Sequence, residues 1–151
     1  MSDHDLILDA LARYARGVDD RDFAAVAALF TADASIDYSV SGGATLTGGE
    51  LATWLGNALA MFRMTQHLLG LPVIEITGDT ARTCIGVLAT HVQTKLDGTE
   101  TTAVLNGTYR HEWSRTAAGW RIRTLRFVSE HAVGTFLPPD QVRRFPASTE
   151  R

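Results

Sequence analysis

The sequence predicts an α+β fold. A curved, mixed but mostly antiparallel sheet would form a cone-shaped barrel around three N-terminal helices and enclose a deep pocket. Up to about residue 62, apolar residues recur at helical spacing, whereas beyond about residue 64 apolar and polar residues alternate, as in strands. Strands joined by short turns pair in antiparallel fashion, and a curved sheet packed against helices leaves a pocket at its open end.

The three predicted helices each carry an apolar stripe. The first follows Ser2, a favourable N-cap, and has Asp3 and Asp5 in its first turn, where carboxylates interact well with the helix dipole. Its stripe consists of Ile7, Leu11, Tyr14, Ala15 and Val18. The second, shorter helix carries Phe23, Val26, Leu29 and Phe30. The third has the most regular stripe, formed by Leu51, Trp54, Leu55, Ala58, Leu59 and Phe62.

The predicted strands begin at 34–40, where Ala34, Ile36, Tyr38 and Val40 alternate with polar residues. A glycine-rich turn follows over 41–49. Further strand-like segments cover 66–77, 80–96, 100–115 and 119–133, and Asp97-Gly98 between two of them is a strong hairpin signal. Strands of this length are expected to contain bulges that curve the sheet.

Composition places the chain among globular proteins with one domain, predicted over 1–137, followed by a tail over 138–151 that is expected to fray. The net charge of -3 and the lack of a basic stretch argue against a nucleic-acid partner. No segment has the pattern of a signal peptide or a membrane span. Cys84 is the single cysteine, so no internal disulfide can form, and a cytoplasmic location is expected.

Strand parity places several polar side chains on apolar faces. Tyr38, His91 and Arg126 each share a face with apolar neighbours, and His67 lies in an apolar segment. A buried polar group must find partners or lose hydration free energy of roughly 2–7 kcal/mol. His91 and Tyr38 could be hydrogen-bonded core residues, and a bulge in the last strand would exchange Arg126 for Arg121 or Arg123.

The same parity places Leu125 and Phe127 on the outer face of the last strand, where they could contact a second copy. A homo-oligomer is expected, because one face of the sheet needs more cover than three helices provide. The sequence contains no H-x-H or H-E-x-x-H motif and no carboxylate cluster with ligand spacing, so no metal site is predicted. We expect no cofactor.

Four segments carry a family resemblance: "ARYARGVDDRDFAAVAALFTADASIDY", "GGELATWL", "TQHLLG" and "GWRIRTLR". They resemble the SnoaL-like, polyketide-cyclase-like branch of the nuclear transport factor 2-like superfamily, over nearly the whole chain to about residue 130. Within that branch they are most similar to scytalone dehydratase, bile-acid 7α-dehydratase and lindane dehydrochlorinase. The resemblance implies a cone-shaped α+β fold with a deep pocket. It also implies a homo-oligomer, either a trimer, as for the dehydratases, or a dimer, as for other cyclase-like relatives.

The resemblance also implies site residues. The shared pattern of these enzymes is an aspartate after the first helix, a tyrosine in the first strand and a histidine in "T-Q-H", here Asp19, Tyr38 and His67. His91 matches a second histidine and Tyr14 a pocket tyrosine. The pocket would also contain Arg126, Trp54, Phe62 and Val18. A tyrosine of scytalone dehydratase is replaced by Val18, and its pocket asparagine corresponds to Arg110.

These residues suit the elimination of water from a small cyclic, largely apolar substrate. His67 would accept a carbon-bound proton, and Asp19 would orient its ring. Tyr38 and Tyr14 would stabilise an enolate oxygen, and His91 would donate a proton to the leaving oxygen. Isomerisation, polyketide cyclisation and dehydrohalogenation in the same pocket are alternatives. A non-catalytic ligand-binding or scaffold subunit, like the β subunits of ring-hydroxylating dioxygenases, is another.

Overall fold

A computed structural model of the chain describes residues 1–39 and 44–147. Val40 and part of the predicted glycine-rich turn, residues 41–43, lie outside these ranges, as do residues 148–151. The described residues form three α-helices: α1 at Asp3–Asp19, α2 at Phe23–Ala27 and α3 at Leu51–Leu59. The predicted cap of α1 is confirmed, because Ser2 and Asp5 exchange side-chain and backbone hydrogen bonds in a capping box.

Seven strands form one curved, mixed sheet. They are β1 (Phe30–Asp37), β2 (Thr45–Thr47), β3 (Met64–Leu69), β4 (Val73–Thr77), β5 (Thr80–Thr94), β6 (Glu100–Thr116) and β7 (Gly119–Val133). The sheet order is β2-β1-β7-β6-β5-β3, with β4 also paired to β5, and the β1–β7 pair is parallel. This confirms the predicted α+β class, although the sheet is curved like a cone and does not close into a barrel.

The strands differ from the predicted ones at three places. The short strand β2 lies within the segment 41–49 that is predicted as a glycine-rich turn, and it pairs with β1. The first strand begins at Phe30, which was predicted to end the second helix, because α2 stops at Ala27. The predicted strand over 66–77 is divided into β3 and β4, which both pair with β5. The Asp97-Gly98 hairpin is confirmed: Gly98 has a φ of 90°, and β5 and β6 flank the turn.

A bulge in β7 reverses the faces of its second half. Trp113 of β6 pairs with Ile122, whereas the neighbouring Glu112 pairs with Thr124, so one residue of β7 is left over. As a result Leu125 and Phe127 are 1% and 4% exposed. Their predicted outward position is wrong, and they offer no apolar surface to a second copy.

The same bulge corrects the predicted position of Arg126. Its side chain is 66% exposed on the outer face and lies 4.0 Å from the Asp37 carboxylate. The prediction that it faces the pocket is therefore wrong. Arg121 and Arg123, the alternatives for an arginine in the pocket, do not line the cavity either. Arg123 is exposed, and the side chain of Arg121 donates to the carbonyl oxygen of Trp120.

The C-terminal segment docks against the domain. The buried side-chain amide of Gln93 donates to the carbonyl oxygen of Leu137 at 3.0 Å and accepts from its N–H at 2.8 Å. Further on, Val142 forms a bridge with Lys95, and the N–H of Phe145 donates to the carbonyl oxygen of Ala60. The expectation that the tail frays is therefore wrong for residues 138–147. Within the part of the chain that the structure describes, no helix is long and apolar enough to cross a membrane.

Candidate active site

Asp19, the last residue of α1, points its carboxylate at the inner face of β3. Its Oδ1 lies 2.7 Å from Nδ1 of His67 and accepts from the hydroxyl of Thr65 at 3.2 Å. Its Oδ2 accepts from the backbone N–H of His67 at 2.9 Å. Burial by itself would raise the pKa of Asp19, but these hydrogen bonds outweigh it and lower that pKa. The carboxylate is therefore ionised at neutral pH.

This carboxylate sets the tautomer of the His67 ring. Because an ionised carboxylate can only accept, Nδ1 of His67 carries a proton, and Nε2 is the nitrogen that carries the lone pair whenever the ring is neutral. The side chains of His67 and Asp19 are only 7% and 15% exposed. The pair is therefore a buried imidazole with a fixed orientation and one nitrogen able to accept a proton.

Three tyrosine hydroxyls gather at another part of the site. Tyr14 from α1 and Tyr38, just after β1, lie with their oxygens 2.7 Å apart. Tyr109 from β6 packs edge-on against the ring of Tyr14, with ring centroids 5.6 Å apart. Burial is the main cause that raises the pKa of all three, so each remains a protonated phenol at neutral pH. Such a cluster can donate hydrogen bonds to a negatively charged oxygen.

His91 from β5 lies beside His67, with ring centroids 5.8 Å apart. Burial, together with the neighbouring His67, lowers the pKa of His91 to about 4, so its ring is neutral. Its Nδ1 lies 3.2 Å from the carbonyl oxygen of Ala89, which can only accept. Nε2 is therefore a hydrogen-bond acceptor. The expectation that His91 donates a proton to a leaving oxygen disagrees with this geometry.

These groups surround a cavity of about 100 Å³. It is lined by Tyr14, Val18, Tyr38, Trp54, Leu55, Leu59, His67, Ala89, His91, Leu105, Tyr109 and Phe127. None of these lining residues is a lysine, arginine, aspartate or glutamate. This cavity is smaller than an apolar cavity of roughly 150 Å³ that accommodates benzene, so a single small ring is the upper limit of what it holds in this conformation.

The structure brings together most of the residues predicted from the sequence. Asp19, His67, Tyr38, His91 and Tyr14 lie in or directly beside the cavity. Val18 and Trp54 line it, and Trp54 stacks on Tyr38 with centroids 5.2 Å apart. Phe62 is placed one layer further out, where its ring contacts His91 and Phe136. Arg126 lies outside the site, as described above.

Tyr109 was missed by the sequence analysis. The resemblance matches its neighbour Arg110 to a pocket residue of scytalone dehydratase, but Arg110 is exposed on the outer face. The alternation of residues in this strand indicates that Tyr109 faces inward, because Tyr109, His111 and Trp113 are spaced two apart, and all three are buried. His111 belongs to a separate buried group, in which Thr83 contacts both His111 Nδ1 and the indole N–H of Trp113.

Among residues 1–39 and 44–147, no group of three or more His, Cys, Asp or Glu side chains is placed to bind a metal ion.

The curved sheet and the three helices are the architecture of the nuclear transport factor 2-like superfamily. The chain belongs to the SnoaL-like domain family, which matches residues 1–126. An uncharacterised protein of Mycobacterium tuberculosis is 31% identical over 123 residues, which cover 81% of this chain and 82% of that protein.

Solved structures share this fold over most of the chain. A provisionally assigned aromatic ring hydroxylase from Novosphingobium aromaticivorans is 30% identical, with a TM-score of 0.73, over 85% of this chain and 90% of that one. A provisionally assigned scytalone dehydratase from the same organism has a TM-score of 0.76 at 21% identity, over 96% and 91%. A hexachlorocyclohexane dehydrochlorinase from Novosphingobium barchaimii has a TM-score of 0.71 at 22% identity, over 88% and 92%.

Proposed function

We propose that this protein is a cofactor-independent lyase that eliminates water from a small, cyclic, largely apolar β-hydroxy carbonyl compound. The observation that carries this proposal is the 2.7 Å contact between Asp19 and His67 at the wall of an apolar cavity. A fixed imidazole beside an ionised carboxylate is suited to removing a proton from carbon and returning it elsewhere. The dehydratase and dehydrochlorinase among the similar structures are consistent with elimination chemistry on this fold.

The elimination begins when Nε2 of His67 accepts the proton from the carbon next to the carbonyl group. The electron pair of that C–H bond moves to the carbonyl oxygen, and tyrosine hydroxyls from the group Tyr14, Tyr38 and Tyr109 donate to the resulting enolate. The pair then returns to form the carbon–carbon double bond as the β C–O bond breaks. The departing oxygen takes the proton from Nε2 of His67 and leaves as water.

His67 therefore serves as both base and acid, and the proton count is unchanged over the cycle. Asp19 stabilises the imidazolium that exists between the two proton transfers. His91 has a different role from the one expected from the sequence. Its neutral Nε2 would accept from the hydroxyl of the substrate and hold that group close to His67.

Cavity size and charge define the expected substrate. A cavity of about 100 Å³ favours a single ring over a fused polycyclic compound. Because its lining contains aliphatic and aromatic side chains with neutral phenols and imidazoles, a substrate without a carboxylate or phosphate is favoured. The hydroxyl would lie toward His91 and the carbonyl oxygen toward the tyrosines.

Proton transfer can be tested before the substrate is identified. A panel of single-ring ketones with and without a β-hydroxyl would be incubated with the protein in D2O and followed by NMR. We expect deuterium to enter the carbon beside the carbonyl, and the β-hydroxy members to lose water. His67→Ala should abolish both reactions, whereas His131→Ala, which removes an exposed histidine, should leave them unchanged. Binding without exchange would overturn the lyase proposal in favour of a ligand-binding protein, and exchange that persists in His67→Ala would overturn the assignment of the base.

Double-bond isomerisation is a second candidate, because it passes through the same enolate, which the hydroxyls of Tyr14 and Tyr38, 2.7 Å apart in the cavity wall, could stabilise. An isomerase would return the proton of His67 to a different carbon instead of to oxygen. Retention of the substrate mass in the products, together with deuterium at a new position, would identify that reaction.

A further inference from the structure

Arg21 lies just beyond α1 in a backbone conformation that its residue type disfavours. Its φ is 64°, and within the described ranges it is the one non-glycine residue with a positive φ. This left-handed region costs a residue with a Cβ roughly 1–2 kcal/mol, and glycine would avoid that cost. Hydrogen bonds made by the arginine side chain can offset this cost.

The side chain of Arg21 donates hydrogen bonds to three acceptors beside the Asp19–His67 pair. Its NH1 donates to Thr65 Oγ1 at 2.7 Å and to the carbonyl oxygen of Val18 at 3.0 Å. Its NH2 donates to the carbonyl oxygen of Phe62 at 3.3 Å. These contacts join the end of α1 to the start of β3, which are the two elements that carry Asp19 and His67.

The contact with Thr65 has a directional consequence. A guanidinium group can only donate, so Thr65 Oγ1 must accept from Arg21. The one hydroxyl proton of Thr65 is then available for Asp19 Oδ1, at 3.2 Å. The result is a continuous series of hydrogen bonds from Arg21 through Thr65 to Asp19, which receives His67 on the same oxygen at 2.7 Å.

We propose that Arg21 is a positioning residue that, through the hydroxyl of Thr65, holds Asp19 in the orientation that keeps the proton of His67 on Nδ1. This inference rests on the proposed function only for its consequence in catalysis. Arg21 does not line the cavity, so it acts through Thr65 and Asp19 and not on a substrate. Burial lowers the pKa of Arg21 and the charge of Asp19 opposes that change, which agrees with a cation that acts on this carboxylate.

The test is the tautomer of His67, which long-range ¹H–¹⁵N NMR reports in the full chain without any substrate. Arg21→Gly removes the side chain and suits the left-handed backbone, so the variant should fold. We expect the wild-type protein to show the Nδ1–H form of His67 and the variant to show a mixture of both tautomers. Arg63→Gln is the matched control, because it removes an arginine that pairs with Glu100 on the surface.

Thr65 provides an independent pair of variants. Thr65→Val removes the hydroxyl at nearly constant volume and should reproduce the effect of Arg21→Gly, whereas Thr65→Ser keeps the hydroxyl and should retain the wild-type tautomer. A purely structural role of Arg21 would lower the melting temperature of Arg21→Gly without changing the His67 tautomer. That result, or a wild-type tautomer in Thr65→Val, would overturn the inference.

Once a substrate is known, kinetics give a second measurement. Arg21→Gly should lower kcat about 10- to 100-fold, the range observed when a partner that orients a metal-bound histidine is removed, and should leave KM close to the wild-type value. An unchanged kcat would contradict the inference. If no compound is ever turned over, the proposed lyase fails, yet the tautomer measurement still decides the role of Arg21.

Discussion

Replacing Asp19 with asparagine preserves the shape of the side chain, removes its charge and leaves one oxygen where there were two. In the wild-type protein, Oδ1 faces His67 Nδ1 at 2.7 Å and Oδ2 faces the His67 N–H at 2.9 Å. The amide can satisfy only one of these two donors. If its oxygen faces Nδ1–H, its NH2 group lies against the backbone N–H of His67, and a buried donor loses its partner at a cost of roughly 1–3 kcal/mol.

The opposite orientation of the amide is therefore favoured. Its oxygen then accepts from the backbone N–H of His67, and its NH2 group donates to Nδ1. The hydroxyl of Thr65, which makes the longest of the three contacts at 3.2 Å, loses its acceptor in this orientation. This arrangement forces the proton of the His67 ring onto Nε2, the nitrogen that should accept a proton from the substrate. We expect turnover to fall by a factor on the order of 10⁴, as for a serine protease whose triad aspartate becomes asparagine. The protein should lose about 2 kcal/mol of stability, because hydrogen bonds to a charged acceptor are weakened.

Three measurements check this prediction. Long-range ¹H–¹⁵N NMR should show the Nε2–H form of His67 in Asp19→Asn, urea unfolding should show the modest loss of stability, and deuterium incorporation into the active compound should nearly vanish. Asp20→Asn is the control, because Asp20 forms an exposed pair with Arg16 at 2.7 Å. An Asp19→Asn protein that keeps the Nδ1–H tautomer and wild-type turnover would refute the reasoning.

Three further predictions follow from the same structure. Tyr109→Phe should fold and lose roughly 10²–10³ in turnover if Tyr109 donates to the enolate, measured with the same deuterium assay. Gly107→Ala should destabilise the protein by about 1–3 kcal/mol in urea unfolding, because its Cβ would lie 2.3 Å from the Val128 carbonyl oxygen. The free energy of unfolding should decrease as the pH is lowered from about 6.5 to about 4, because burial lowers the pKa of His91 to about 4 and that of His111 to about 3. The unfolded chain binds more protons than the folded one in that window, so acid favours unfolding.

Each of these predictions has its own control. Wild-type turnover in Tyr109→Phe would exclude that hydroxyl from the reaction. Gly86→Ala should be close to neutral, because no atom lies within 4 Å of its added Cβ, and equal stability of the two alanine variants would contradict the packing argument. Urea unfolding at pH 7, 5.5 and 4.5 tests the acid prediction, and constant stability over this range would show that His91 and His111 are not buried as neutral rings.

The candidate site was predictable where function depends on local patterns. Asp19 follows a capped amphipathic helix, and His67 lies in a segment with a recognisable resemblance, so both could be proposed from the sequence. Tyr109 lies in a strand with regular alternation, but the resemblance assigned the pocket position of this strand to the next residue, Arg110. A shift of one residue in a strand moves a side chain to the opposite face, so this error exchanged an inner phenol for an exposed arginine.

The sequence by itself determined the three helices, the long strands β5, β6 and β7, the hairpin turn and the residue types available for chemistry, because these depend on periodicity and capping within short segments. It did not determine the short strand β2 or the division between β3 and β4, which depend on pairing with distant strands. Only the tertiary structure decided the faces of β7. A bulge depends on how two distant strands pair, and it turned Arg126 outward and Leu125 inward. Tertiary structure also decided that Arg21, Thr65, Asp19 and His67 form one series of hydrogen bonds. These contacts join residues more than 40 positions apart, and directional bonds of this kind arise only when packing brings donor and acceptor within about 3 Å.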